Sequence, residues 1–149
     1  MSCVVDPTRN GTGQQQSLFT SSIPVGSAVS LTNNTAANIT SIALPAGNFD
    51  VSGQVEFALG AATATTVFAG PSVVSATLPT QGGGAGIGTD ALVTIPLNVT
   101  ITSYTVTLGC IEISLSITAP TTVYLVALAQ FTVGTVSVYG TLRARQTNS

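Results

Sequence analysis

Residues Thr121 to Arg145 read TTVYLVALAQFTVGTVSVYGTLRAR, a run rich in β-branched, aromatic and small apolar residues with no apolar repeat at helical spacing. The alternation predicts two long strands, Thr121–Thr132 and Thr135–Arg145, turning at Val133-Gly134. The first of them has no wet side: Tyr124, Val126 and Leu128 fall on one face, and Leu125, Ala127, Ala129 and Phe131 on the other. Such a strand needs cover on both faces. One cover is the facing sheet of an all-β sandwich. The cover expected for the other is a second copy of the protein. Tyr124, Val126 and Leu128, with Tyr139 on the next strand, are therefore the predicted contact between copies.

Charge then limits what the surface is made of. Only 5% of the 149 residues are Asp, Glu, Lys or Arg, against about 25% in ordinary soluble proteins, so Thr, Ser, Asn and Gln must supply most of the wet surface. That composition suits a dense, neutral assembly. The chain has no Lys and no His, its three cations are Arg9, Arg143 and Arg145, and its net charge is −2. Nucleic acid is excluded as a partner because phosphate binding needs a basic patch. No apolar stretch is long enough for a spanning helix, and the start MSCVVDPTRNGTGQQQ lacks the layout of a signal peptide, so synthesis in a host cytoplasm and no membrane insertion are expected. The two cysteines fit neither a disulfide framework nor a zinc motif, and read as free thiols, Cys110 in a strand and Cys3 in a terminal segment.

Along the chain, residues 1–22 carry no period of either kind and are expected to be an extended attachment arm, anchored on a neighbour by Val4, Val5, Leu18 and Phe19. Residues 23–149 are expected to form one domain of jelly-roll type. Val25–Leu31 alternates weakly as a first strand, and Ile39–Leu44 follows. Pro45-Ala46-Gly47-Asn48 then supplies a turn. Asn48–Leu59 sets Phe49, Val51, Val55, Phe57 and Leu59 against Asp50, Ser52, Gln54 and Glu56, the pattern of a core strand with one wet face. Thr63–Phe68 and Ser72–Leu78 are two short candidates around Gly70-Pro71. Pro79 to Asp90 is a glycine-rich loop, and Ala91–Ile95 resumes extended chain. In Val99–Ile117 the apolar residues move from even numbers (Tyr104, Val106, Leu108) to odd (Ile111, Ile113, Leu115), which predicts a β-bulge or bend near Gly109-Cys110. Eight to ten strands without a helix make an antiparallel β-sandwich.

Catalysis has little to work with. Neither His nor Lys is present, and Asp50 and Glu56, though on one strand face, lie about 20 Å apart at the rise of an extended chain. No catalytic residue, metal ligand or cofactor site is assigned. The loop Gly82 to Gly88 lacks the flanking residues of a phosphate-binding motif. Arg143 and Arg145 share a strand face with Tyr139 and Thr141; they read as a solubilising end to the last strand or as a ligand or partner contact.

The words TVYLVALAQFTVGTVSVYGTLRAR and LPAGNFDVSGQVEF resemble parts of phage virion proteins that end in a compact trimeric jelly roll, itself similar to complement C1q and tumour-necrosis-factor heads. The two words cover about a quarter of the chain. The resemblance implies a homotrimer on the exterior of a bacteriophage virion. As a capsid decoration protein it would contact the major capsid protein or another virion protein. As the receptor-binding tip of a tail or head fibre it would hold host surface glycan, on loops such as Thr80–Thr89.

Overall fold

The structure, a computed structural model, describes residues 16–79, 92–97 and 104–147. Val4, Val5, Cys3, Arg9, the Thr80–Thr89 loop, Asp90 and the start of the Val99–Ile117 region lie outside the described residues. Nine strands follow one another in the described chain. They are β1 (Leu18–Ile23), β2 (Val29–Leu31), β3 (Ala37–Leu44), β4 (Gly47–Gly60), β5 (Ala64–Ser72), β6 (Val93–Pro96), β7 (Tyr104–Ile117), β8 (Thr121–Phe131) and β9 (Thr135–Thr147). One sheet has the order β1-β9-β4-β7, with β2 also on β9, and the other has the order β3-β8-β5-β6, every pairing being antiparallel. When β1 and β2 are counted as one interrupted strand, eight strands divide between two four-stranded sheets, changing sheet at every connection except that from β5 to β6, and the closing strand β9 returns beside the first. That is the jelly-roll topology.

The alternation in sequence builds the core directly. Phe49, Val51, Val55 and Phe57 of β4 are wholly enclosed, and so are Val136, Val138 and Leu142 of β9. Val123, Leu125, Ala127 and Ala129 of β8 face them from the other sheet and are equally enclosed. Each large side chain so buried contributes about 1.5–3 kcal/mol of transfer free energy. The expected change of phase in β7 is present. Val51 stands opposite Ile113 while Gly53 stands opposite Cys110, so β7 carries one residue more than β4 between these pairs. Inward positions accordingly change from Val106, Leu108 and Cys110 to Leu115. The bulge lies just beyond the Gly109-Cys110 step.

Three expectations need correction. Val25–Leu31 is not one strand: Val25–Ser27 form a single 3-10 turn after Pro24, and only Val29–Leu31 extends. Ile23 pairs with Gly140 and Val29 with Val138, so the detour of residues 24–28 passes Tyr139. Thr63–Phe68 and Ser72–Leu78 are not two strands either. A single strand, β5, runs through Gly70-Pro71, because β6 pairs only with Thr66–Ala69 and leaves Pro71 with a partner on one side, where proline is tolerated. Ser72 ends β5, and the chain from Val73 turns back instead. Lastly, the boundary expected between residues 22 and 23 falls inside β1. Leu18 to Ile23 pair with Arg145 to Gly140, and the Phe19 ring meets Phe49 edge-on, with 5.9 Å between centroids and 72° between planes. From Leu18 onward the expected arm belongs to the sandwich, since Phe19 has a core aromatic within reach and β9 offers an open edge.

Candidate functional site

A sandwich has two outer faces, and here they differ in kind. The outer face of the β3-β8-β5-β6 sheet carries Tyr124, Val126, Leu128 and Gln130 from β8. Beside them, in register, lie Ser72, Gly70 and Phe68 from β5, and Thr94 from β6 is paired with Phe68. No charged residue sits on this face among the described residues. Val126 is wholly buried although it is not part of the core between the sheets. Its cover comes from the chain itself. After β5, the segment from Val73 to Pro79 folds back across the sheet. Ser72 Oγ accepts from Val74 N–H (3.1 Å) and donates to the Val74 carbonyl (3.0 Å). Asn38, the register partner of Val126, donates through Nδ2 to Ser75 Oγ (2.7 Å) and accepts at Oδ1 from Ala76 N–H (2.7 Å). This latched strap supplies part of the cover that the sequence assigned to a second copy.

Past the strap, a groove of about 450 Å³ remains open between Phe68, Leu128, Leu78, Leu92 and Thr94. Asn34 forms its end, accepting at Oδ1 from Gln130 Nε2 (3.2 Å), and its neighbour Asn33 accepts at Oδ1 from Phe131 N–H (2.8 Å). Tyr124 and Leu128 are half-buried. Among the described residues this face is therefore neutral and partly apolar, and they cover it only in part.

The outer face of the five-stranded sheet is the opposite. Asp50, Glu56, Glu112, Arg143 and Arg145 are all the charged residues among those described, and all five lie on it. Arg145 Nη2 donates to Asp50 Oδ2 (3.2 Å), and Ser114 Oγ donates to Asp50 Oδ1 (3.0 Å). With the Arg145 side chain 54% exposed, this pair contributes at most about 1 kcal/mol. Hydrogen bonding to Glu56, its register partner, then partial burial and the nearby carboxylate charge, raise the Tyr139 pKa. Arg143 stands between Thr20 of β1 and Ser52 of β4 and has no carboxylate partner among the described residues.

This face also carries a continuous trough along β9. Three depressions of about 250, 190 and 510 Å³ follow one another. The first and second share Gln54 and Thr141, and the second and third share Ser52 and Arg143. From Tyr139 at one end to Arg145 at the other the trough runs about 20 Å, at roughly 3.3 Å per residue.

The residues singled out in the sequence are thus divided between surfaces. Tyr124, Val126 and Leu128 are together on the neutral face, with Val126 already enclosed. Tyr139 lies on the opposite side of the sandwich, beside Arg143 and Arg145, so one flat contact cannot hold all four of the residues expected between copies. Leu18 is exposed at the edge of the charged face and Phe19 points to the core. Sequence reasoning missed Asn38, Ser72 and Gly109. Asn38 and Ser72 lack a sequence signal because their partners lie across a strap that looks like a strand. Gly109 did stand out, but as the site of the bulge. Among the described residues no cluster of three metal-ligating side chains occurs, and no helix is long and apolar enough to cross a membrane.

No protein-family model matches this sequence, and no curated protein matches it. Solved structures do. The chain is similar to that of infectious bursal disease virus Gx strain, with a TM-score of 0.53 and 9% identity over 98% of this chain. It is similar to VP2 of that virus in a subviral particle (TM-score 0.52, 10% identity, 98% of this chain) and to a mutant VP2 in derived T=1 particles (TM-score 0.53, 13% identity). The chain spans about a third of the length of these neighbours, 36% to 37%. At such identities the likeness is one of fold, a β-sandwich shared with virus-particle proteins. None of these three is a phage protein or a C1q-like head, and to that extent they correct the family suggested by the sequence words.

Proposed function

We propose that this chain is a non-enzymatic structural protein on the exterior of a virus particle. The observation that carries the reading is the segregation of charge. One outer face holds every described charge, and the other is, among the described residues, neutral, partly apolar and incompletely covered. A subunit built this way has one side for water and one for protein. The likeness of fold to subunits of a subviral particle supports the same reading.

The finer reading is a bacteriophage capsid decoration protein that assembles as a homotrimer. Tyr124 and Leu128 then meet their counterparts around the strap, and the trimer contacts the major capsid protein. Its support is the resemblance of the β8–β9 words and the half-buried state of these two residues on a charge-free face. Phage origin rests on the resemblance alone. The absence of His and Lys, and the engagement of Asp50 by Arg145 and of Glu56 by Tyr139, support a role without catalysis.

The test is to count copies per purified particle by quantitative mass spectrometry and to measure the mass of the isolated protein in solution. Decoration predicts copies in the hundreds and a three-chain mass. A handful of copies at one site would make the chain a fibre tip, and absence from purified particles would overturn the structural reading.

A further inference from the structure

The neutral face leaves the charged face without a task, and one residue on it has no structural explanation. Gly109 sits inside β7, paired with Gln54, at an outward position of a 14-residue strand. A β-carbon built there meets nothing within 4 Å, and its backbone is not in the positive-φ region. The bulge lies further on, between the partners of Val51 and Gly53, so it does not require this glycine. A glycine inside a strand lowers stability relative to a residue with a side chain, and any side chain here would enter the trough beside Arg143. The position stays bare where bareness keeps the trough open.

The chemistry of the walls says what fits. Along β9 the trough presents Thr141, Ser52, Gln54 and Thr20, whose hydroxyls and amide can both donate and accept, in the manner that a chain of hydroxyl groups requires. Tyr139 stands half-buried at one end and offers part of a ring face. Arg143, near the middle, is a cation with no carboxylate partner among the described residues, whereas Arg145 is already held by Asp50. We infer that this trough binds a linear saccharide chain bearing a carboxylate, with Arg143 pairing the carboxylate and Gly109 leaving room for the chain. The inference stands apart from the particle reading, because binding is measured on the isolated protein and copy number on particles.

The experiment titrates full-length protein with three acidic saccharides, a hyaluronan hexasaccharide, a trigalacturonate and 3′-sialyllactose, with the carboxyl-reduced hyaluronan hexasaccharide and polyglutamate as controls. Backbone amide NMR shifts follow each titration. At least one acidic saccharide is expected to bind saturably and to shift the amides of Thr20, Ser52, Gly109 and Thr141. Arg143→Gln is expected to weaken it about tenfold or more, the worth of a charged hydrogen-bonded pair. Gly109→Phe is expected to abolish binding without lowering the melting temperature, and that variant separates blockage from misfolding. Failure of all three saccharides to bind, or binding unchanged in both variants, overturns the proposal. Equal binding of polyglutamate overturns the saccharide assignment, since the trough would then be reading charge alone, and equal binding of the carboxyl-reduced hexasaccharide overturns the role given to Arg143.

Discussion

Two glycines on either side of β4, one on β9 and one on β7, show how differently the same residue can be constrained. A β-carbon at Gly140 would stand 2.1 Å from the Gln54 carbonyl oxygen, so β9 and β4 approach at that point only because no side chain is there. Gly140→Ala is expected to cost about 3 kcal/mol or more, as overpacking against backbone does, and to lower the melting temperature by several degrees. Gly109→Ala, with open space around it, is expected to leave stability unchanged or raise it by up to about 1 kcal/mol. Chemical denaturation of the two variants side by side checks both. Cys110 supplies a third residue-scale prediction. Burial raises its thiol from 9.0 to about 11. A pKa raised by folding means that the stability is fully present below pH 9 and is lost as pH rises through about 11, on the order of 2 kcal/mol in all. Cys110→Val removes that titration, so the melting temperatures of variant and parent should diverge across this window and run parallel below it.

At the scale of elements, what could be read in the sequence was whatever a period of two controls. The wet and dry faces of β4, the change of phase in β7 and the division of the closing stretch into β8 and β9 all follow from alternation, because each strand has its partner sheet on a predictable side. The strap escaped because Ser72–Leu78 alternates like a strand but is held by side chains, Asn38 and Ser72, whose partners are distant in sequence or set by a local turn. It also explains why β8 reads as dry on both sides. Asn38→Ala should release the strap at a cost of about 1–3 kcal/mol, the loss of two exposed hydrogen bonds at about 0.5–1.5 kcal/mol each. Hydrogen exchange should then accelerate at Ala76 and Val126 ahead of the core strands. The trough was legible only in part: Tyr139, Arg143 and Arg145 announce a shared face, but its depth depends on Gly109, which strand periodicity treats as a gap. The edge strand β1 was missed because LFTSSI sets its three large apolar residues, Leu18, Phe19 and Ile23, without a strict alternation, and its order comes from β9 and from Phe49. Removal of residues 1–15 should therefore leave the fold intact, whereas removal of residues 1–22 should expose the β9 edge and lower the melting temperature.

For the whole molecule, association through the neutral face makes Leu128 the informative position, since it is half-buried in the isolated chain and lines the open groove. Leu128→Asp should yield a folded monomer, because a carboxylate between copies costs several kcal/mol while the same carboxylate on a monomer stays in water. A three-chain mass for this variant in light scattering, equal to the parent's, would count against that face as the contact. In the assembly proposed above, the one-sided distribution of the described charges has a further consequence for how such molecules would tile a closed surface. A tile that is neutral beneath and ionic above has an unambiguous right way up. Laying one down inverted would press Asp50, Glu56, Glu112, Arg143 and Arg145 against protein, each at a penalty of several kcal/mol where it finds no counter-charge. Orientation is then selected anew with every subunit added, without a dedicated lock, and a growing layer corrects its own mistakes simply because misplaced tiles fall off.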